Sequence, residues 1–188
     1  MSLFKLKEWW STKLGCEQFS EGGLAVGNIH IAGGNEPKIV TGSLQGRLRV
    51  HDPQFSTDDA RTLLLDSQLN APIIQLKIGN LVPRVAPNPA LAVLHPCDLV
   101  VYTCIGHAST SIGKCNSDTC HLELIINYAH RVCASGAGSH AFSMCLGPFG
   151  GALNHDLILL QCVDGRINAY EYDVSVWVSS FFRVRLIP

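Results

Sequence analysis

The stretch Lys38-Ile-Val-Thr-Gly-Ser-Leu-Gln-Gly-Arg-Leu-Arg-Val-His-Asp52 reads as strand, tight turn, strand. Gln45-Gly46 marks the turn, because glycine reaches positive φ without a Cβ clash. Leu48 and Val50 alternate with Arg47, Arg49 and His51, a period of two that sends apolar groups to one face and polar groups to the other. A single hairpin is marginal in water because it cannot cover its own apolar face. The chain must therefore repeat or cover it.

It is repeated. Val26-Gly27-Asn28-Ile29 precedes the hairpin, Ile78-Gly79-Asn80-Leu81 precedes Leu91–His95 and Leu99–Tyr102, and Leu146-Gly147-Pro148-Phe149 precedes Asp156–Gln161 and Arg166–Tyr170. Gly27 lies 19 positions before Gly46, Gly79 lies 19 before Asp98, and Gly147 lies 18 before Gly165. The copies begin 52 and then 68 residues apart, so the strand pair is constant and the connection varies. The connections hold further strands: Leu63–Asp66 and Pro72–Ile78 in one, Leu122–Tyr128 and Ala141–Leu146 in the other. About four antiparallel strands per unit of this size predict β-propeller blades rather than a sandwich, whose strands do not recur as a quartet. The expected fold is all-β, a partial propeller of about three four-stranded blades, open or truncated, since closed rings have about four to eight. The hairpin is expected to form the outer part of its blade. The second and third blades are well marked, and the first is expected to borrow a strand from the N-terminus. Residues 173–188 are apolar and β-prone with no partner copy after them, and open edges of this kind pair with other chains.

Composition narrows the function. Of 188 residues 47% are hydrophobic and 15% charged, with net charge −1, so nothing favours nucleic acid. The N-terminus carries charges through its apolar positions and does not read as a secretory signal. No apolar run approaches the ~20 residues that span a bilayer. A cytosolic chain with its eight cysteines reduced is expected. Leu3, Leu6, Trp10 and Leu14, with Phe4 and Trp9 beside them, fall near helical spacing. They suit either a segment packed on the core or an amphipathic membrane contact.

Chemistry-bearing groups are sparse. Cys104, His107, Cys115, Cys120 and His121 supply zinc-ligand types, as two pairs, Cys104 with His107 and Cys115 with Cys120. The wide gap between Cys115 and Cys120, in a Ser/Thr/Gly-rich loop, favours scattered loop thiols, and no metal site is assigned. Thr41-Gly-Ser43 and Ala134–His140 lack the nucleophile-elbow pattern, and Gly136-Ala-Gly138 opens no helix for a phosphate. Asp98, Glu123, Asp156 and Asp164 sit at strand ends or turns. No catalytic residue or cofactor is assigned, and the chain is expected not to be an enzyme. Arg47, Arg49 and Arg166 occupy polar strand faces, solvated by default and otherwise a basic stripe for a partner protein.

Several segments resemble a known family. Met1-Ser-Leu-Phe-Lys5, Trp9-Trp-Ser-Thr12 and Leu14-Gly15 open the match. Gly42-Ser43, Gly46, Leu48-Arg49, Leu91–His95, Val101-Tyr102, Phe149-Gly150, Asp156–Ile158 and Asp164-Gly165 continue it. Over residues 1–172 the chain resembles the N-terminal β-propellers of the Bardet–Biedl syndrome protein nine family, also called the parathyroid hormone-responsive B1 family. Residues 104–140 and 173–188 depart from that pattern. The resemblance implies a propeller of about seven blades in the family and a non-enzymatic scaffold within the BBSome, a coat-like complex that moves membrane proteins into and out of cilia. It implies other BBSome subunits as partners and, indirectly, an Arf-like small GTPase, ciliary membrane cargo and intraflagellar transport particles. It implies a cytoplasmic, ciliary and basal-body location, with membrane association through the complex. The alternative is a zinc-stabilised or generic propeller interaction domain unrelated to cilia.

Overall fold

A computed structural model describes residues 6–29, 36–56, 59–82, 89–108, 120–132, 140–152, 154–173 and 181–185. Among the described residues twelve strands run in chain order: β1 Leu24–Asn28, β2 Pro37–Gly42, β3 Arg47–His51, β4 Leu63–Gln68, β5 Gln75–Gly79, β6 Ala90–Leu94, β7 Asp98–Ala108, β8 Cys120–Arg131, β9 Ala141–Gly147, β10 Leu157–Cys162, β11 Ile167–Asp173 and β12 Phe181–Arg185. They form three four-stranded sheets, β1–β4, β5–β8 and β9–β12, each a meander in which successive strands are antiparallel neighbours. This is the expected open partial propeller.

The opening hairpin is β2–β3, with Val40 opposite Val50 and Gly42 opposite Leu48. Its turn is closed by Ser43 N–H to the Arg47 carbonyl and Gly46 N–H to the Ser43 carbonyl, with Gly46 at φ +85°. The third sheet uses the same turn: Cys162 N–H bonds the Arg166 carbonyl, Gly165 N–H bonds the Cys162 carbonyl, and Gly165 has φ +86°. The second sheet turns more tightly, with His95 N–H bonded to the Asp98 carbonyl.

Three expectations change. The hairpin is the central pair of its sheet, not the outer part, because β1 and β4 flank it. The first sheet is complete without borrowing from the N-terminus, since the strand that opens at Leu63 belongs to it. Each connection is thus divided between two blades: β4 and β8 finish one sheet, and β5 and β9 begin the next. Residues 72–74 precede β5 as a tie rather than a strand; Ile73 N–H bonds the Ser43 carbonyl and Ile74 N–H the Leu94 carbonyl. Within residues 173–188, β12 pairs along β11 from Asp173 opposite Phe181 to Ala169 opposite Arg185.

The sheets stack face to face, and the stack makes two cores. Val40, Leu48 and Val50 of the first sheet meet Leu91, Val93, Val100 and Tyr102 of the second. Ala92, Leu94, Leu99 and Val101 on the opposite face of the second sheet meet Met144, Ile158 and Leu160 of the third. All five residues of β6 are buried, odd positions toward one neighbour and even positions toward the other. That explains why Ala90–Leu94 is a continuous apolar run while β3 alternates.

The first strands lie side by side, β1 against β5 and β5 against β9. Their closeness depends on glycine. A Cβ at Gly27 would sit 3.0 Å from Ile78 Cγ2, and one at Gly79 would sit 2.9 Å from Leu146 Cδ1 and 2.8 Å from Asp156 Oδ2. Ile78 and Leu146 each precede the glycine of their own repeat, so the glycine of one blade receives the aliphatic residue of the next. Asp156 fastens the second contact, accepting from Asn80 N–H at 2.8 Å while its own N–H bonds the Asn80 carbonyl. At Gly147 an added Cβ would meet only Phe149, at 3.6 Å. Gly79→Ala is therefore expected to cost about 1–3 kcal/mol by overpacking, and Gly147→Ala less than about 0.5 kcal/mol. Urea unfolding of the two variants decides it, and equal costs would contradict the packing account.

Candidate interaction surfaces

The arginines of the first sheet are engaged in ion pairs. Arg47 donates through Nε to Asp66 Oδ1 at 2.5 Å and through Nη2 to Oδ2 at 2.6 Å. Arg49 grips Glu17 with both Nη atoms, at 2.7 and 2.9 Å, and brings Nε within 3.4 Å of Asp66. The hydrogen bonds from Arg47 hold the Asp66 carboxyl below the usual carboxylate range, with the Arg49 charge adding to the effect. Arg166 pairs with Asp164 in its own turn, at 2.6 Å. The basic stripe considered from sequence is thus neutralised residue by residue. Counting cations on one strand face missed it because Glu17 arrives from elsewhere in the chain.

Glu17 belongs to an N-terminal segment that covers this face of the first sheet. The segment is neither helix nor strand from residue 6 to residue 20. Leu44 N–H bonds the Gln18 carbonyl at 2.7 Å, and Gln18 N–H bonds Gln45 Oε1 at 3.0 Å. Further on, Ser20 Oγ donates to the Ile74 carbonyl and Leu76 N–H bonds the Gly22 carbonyl, so the segment crosses to the second sheet. Trp10 lies against His51, ring centroids 5.8 Å apart. Leu6 and Trp9 face solvent, 98% and 79% exposed. Leu3 and Phe4 lie outside the described residues.

Among the described residues, two of the concavities flank the sheets. One, of ≈ 510 Å³, lies beside the first strands between Glu21, Gln75, Lys77 and Phe142. The other, of ≈ 610 Å³, lies between the first and second sheets, lined by Leu69, Val100, Tyr102, Leu124, Ile126 and His130. The His130 ring stacks on Tyr128 and tilts against Tyr170, with centroids 6.0 and 5.2 Å away. Burial lowers its pKa, with Asp98 partly opposing, and burial raises that of the Tyr102 hydroxyl. Both are neutral at pH 7, so this groove offers apolar contact and neutral hydrogen bonding. His95 Nδ1–H donates to the Pro72 carbonyl at 2.7 Å.

Among the described residues no group of three or more metal-ligating side chains comes together, although the β7–β8 ladder sets His107 opposite His121 and Ala108 opposite Cys120. Cys104 is in the core between the first two sheets, and burial pushes its thiol up to about 12. His107 lies further along the same strand. Cys120 opens β8, His121 follows it, and Cys115 is outside the described residues. Ser43 is buried in its turn, its Oγ accepting from Arg47 N–H at 3.0 Å. Of Ala134–His140 only His140 is described, with Nδ1 3.4 Å from Cys97 Sγ. Asp156 and Asp164 serve the blade contact and the turn. Because the thiolate is the reactive form, a maleimide at about pH 8 is expected to label exposed Cys16 and Cys145 well before Cys104 and Cys162. Peptide mapping by mass spectrometry reads this, and equal labelling of Cys104 would contradict its place in the core.

The family model described as PTHB1 N-terminal matches residues 1–188. The human Protein PTHB1 is 35% identical over 179 residues, covering 92% of this chain and 19% of its own length. The Xenopus laevis protein is 35% identical over 178 residues, covering 92% and 20%, and the mouse protein is 33% identical over 178 residues, covering 92% and 19%. The chain thus spans about a fifth of the length of these relatives. With a match that runs through all three blades, the chain belongs to the PTHB1 N-terminal family.

Proposed function

We propose that this chain is a non-enzymatic scaffold module, the first blades of a propeller that serves the BBSome in carrying membrane proteins to and from cilia. The observation that carries this reading is membership of the PTHB1 N-terminal family across every blade. The architecture supports it: stacked sheets present rims, grooves and loop ends to partners while their polar groups are spent on holding the stack together. On this reading the partners are other BBSome subunits. An Arf-like small GTPase, ciliary membrane cargo and intraflagellar transport particles are reached through them. The locations are cytoplasm, cilium, ciliary membrane and basal body. The experiment is affinity purification of the tagged chain, and of a longer protein that contains it, from ciliated cells. Recovery of BBSome subunits with the longer protein is expected, and their absence from both preparations rejects the reading.

A second reading has its own observation, the solvent-facing Leu6 and Trp9. Aromatic and aliphatic side chains on a surface segment suit shallow insertion at a lipid interface. Trp10 is already engaged with His51, so Trp9 is the residue to change. Flotation with vesicles of phosphatidylcholine and phosphatidylserine is expected to recover at least about twofold less Trp9→Ala than wild type. Equal recovery, or none for either, removes membrane contact from the account.

A further inference from the structure

We infer that the Trp10 indole N–H donates to neutral His51 Nε2, and that this bond makes the N-terminal cover of the first sheet acid-labile. Trp10 Nε1 and His51 Nε2 are both buried and have no hydrogen-bond partner among the described residues, as is also true of Thr41 Oγ1 on β2. Their rings are neighbours, 5.8 Å apart between centroids and inclined by 58°. A buried indole N–H needs an acceptor, and a neutral imidazole carries one donor and one acceptor nitrogen. Of the three orphaned atoms, the indole N–H can only donate and the imidazole Nε2 can accept it, so these two are complementary. His51 itself is 4% exposed, on the face of β3 that the N-terminal segment covers.

The charged groups around His51 set the sign. Arg49 stands beside it on β3, Asp66 on β4 lies opposite Arg49 and acts on His51 through its charge, and Glu17 of the N-terminal segment is taken up by Arg49. Its neighbours on β2 and β4 in the ladder are Ile39 and Leu63. Burial, and then the Arg49 charge, lower the His51 pKa from 6.5, with Asp66 partly opposing. A histidine with a lowered folded-state pKa contributes stability above its unfolded value. That stability is lost as pH falls from about 6.5 through the folded value. Protonation also turns Nε2 into a donor that faces the indole donor, so the charged form works against the Trp10 contact.

Hydrogen exchange of the 188-residue chain, corrected for intrinsic rates, tests this at about pH 7.5 and about pH 5.5. In wild type, exchange across residues 8–19 is expected to rise at least about threefold on acidification while β6 is unchanged. His51→Gln keeps a carbonyl acceptor that does not titrate, and its segment is expected to show no rise. The inference is overturned by a flat wild type, by the same rise in His51→Gln, or by a rise matched in β6. If His51→Gln loses β6 protection at the higher pH, Trp10→Phe replaces it. That variant keeps an aromatic ring and removes the donor, so its segment should exchange faster at pH 7.5 and respond little to acid. Behaviour identical to wild type at both pH values rejects the bond.

Discussion

The stack depends on burying both faces of β6. Ala90–Leu94 has no polar face to turn toward water, so the second sheet is stable only between two others. Each neighbour must then approach closely enough to exclude water, since a gap forfeits contact on both walls. Gly27 and Gly79 provide that approach at the first strands, where Ile78 and Leu146 lie against bare backbone. Asp156 adds direction to the second contact by meeting Asn80 through both side chain and main chain. A general preference for apolar contact thereby becomes a particular register between blades.

The outer sheets inherit the opposite problem, because each has a face that the stack does not bury. The first sheet solves it with the N-terminal segment, through the Glu17–Arg49 pair, the Gln18 hydrogen bonds and the Trp10–His51 contact. The third sheet leaves Phe142 and Ile167 exposed by 64% and 61%. The Lys38–Asp52 pair, 2.9 Å apart and almost fully buried, belongs to the same economy. Two charges taken out of water are tolerable only together, so the pair fixes the entry of β2 relative to the exit of β3 more than it stabilises the sheet.

Much of this was legible in the chain. Local rules carry far enough to read the β2–β3 hairpin, the glycine turns at Gly46 and Gly165, the three copies and the open propeller. A period of two and a positive-φ turn are properties of neighbouring residues. The strands at Leu63, Ile78, Leu122 and Ala141 were also readable, but their division between blades was not. Nothing in a strand's own residues says which edge it joins. The arginines show the same limit. Arg47 and Arg49 alternate correctly on β3, yet Asp66, which pairs with Arg47, comes from 19 residues ahead, and Glu17, which pairs with Arg49, from 32 residues behind.

The residues alone dictate an all-β chain of repeated strand pairs with turns at defined positions, because backbone sterics and side-chain alternation act within a few residues. Folding in three dimensions settles which strands share a sheet, which charges cancel and which thiols are inert. Those depend on groups brought together across long stretches of chain. Cys104 makes the difference plain: in the sequence it stands among other candidate ligands, and in the fold it lies between two sheets with its thiol pushed up to about 12. Desolvation is a property of the packed environment, and no spacing of residues encodes it directly.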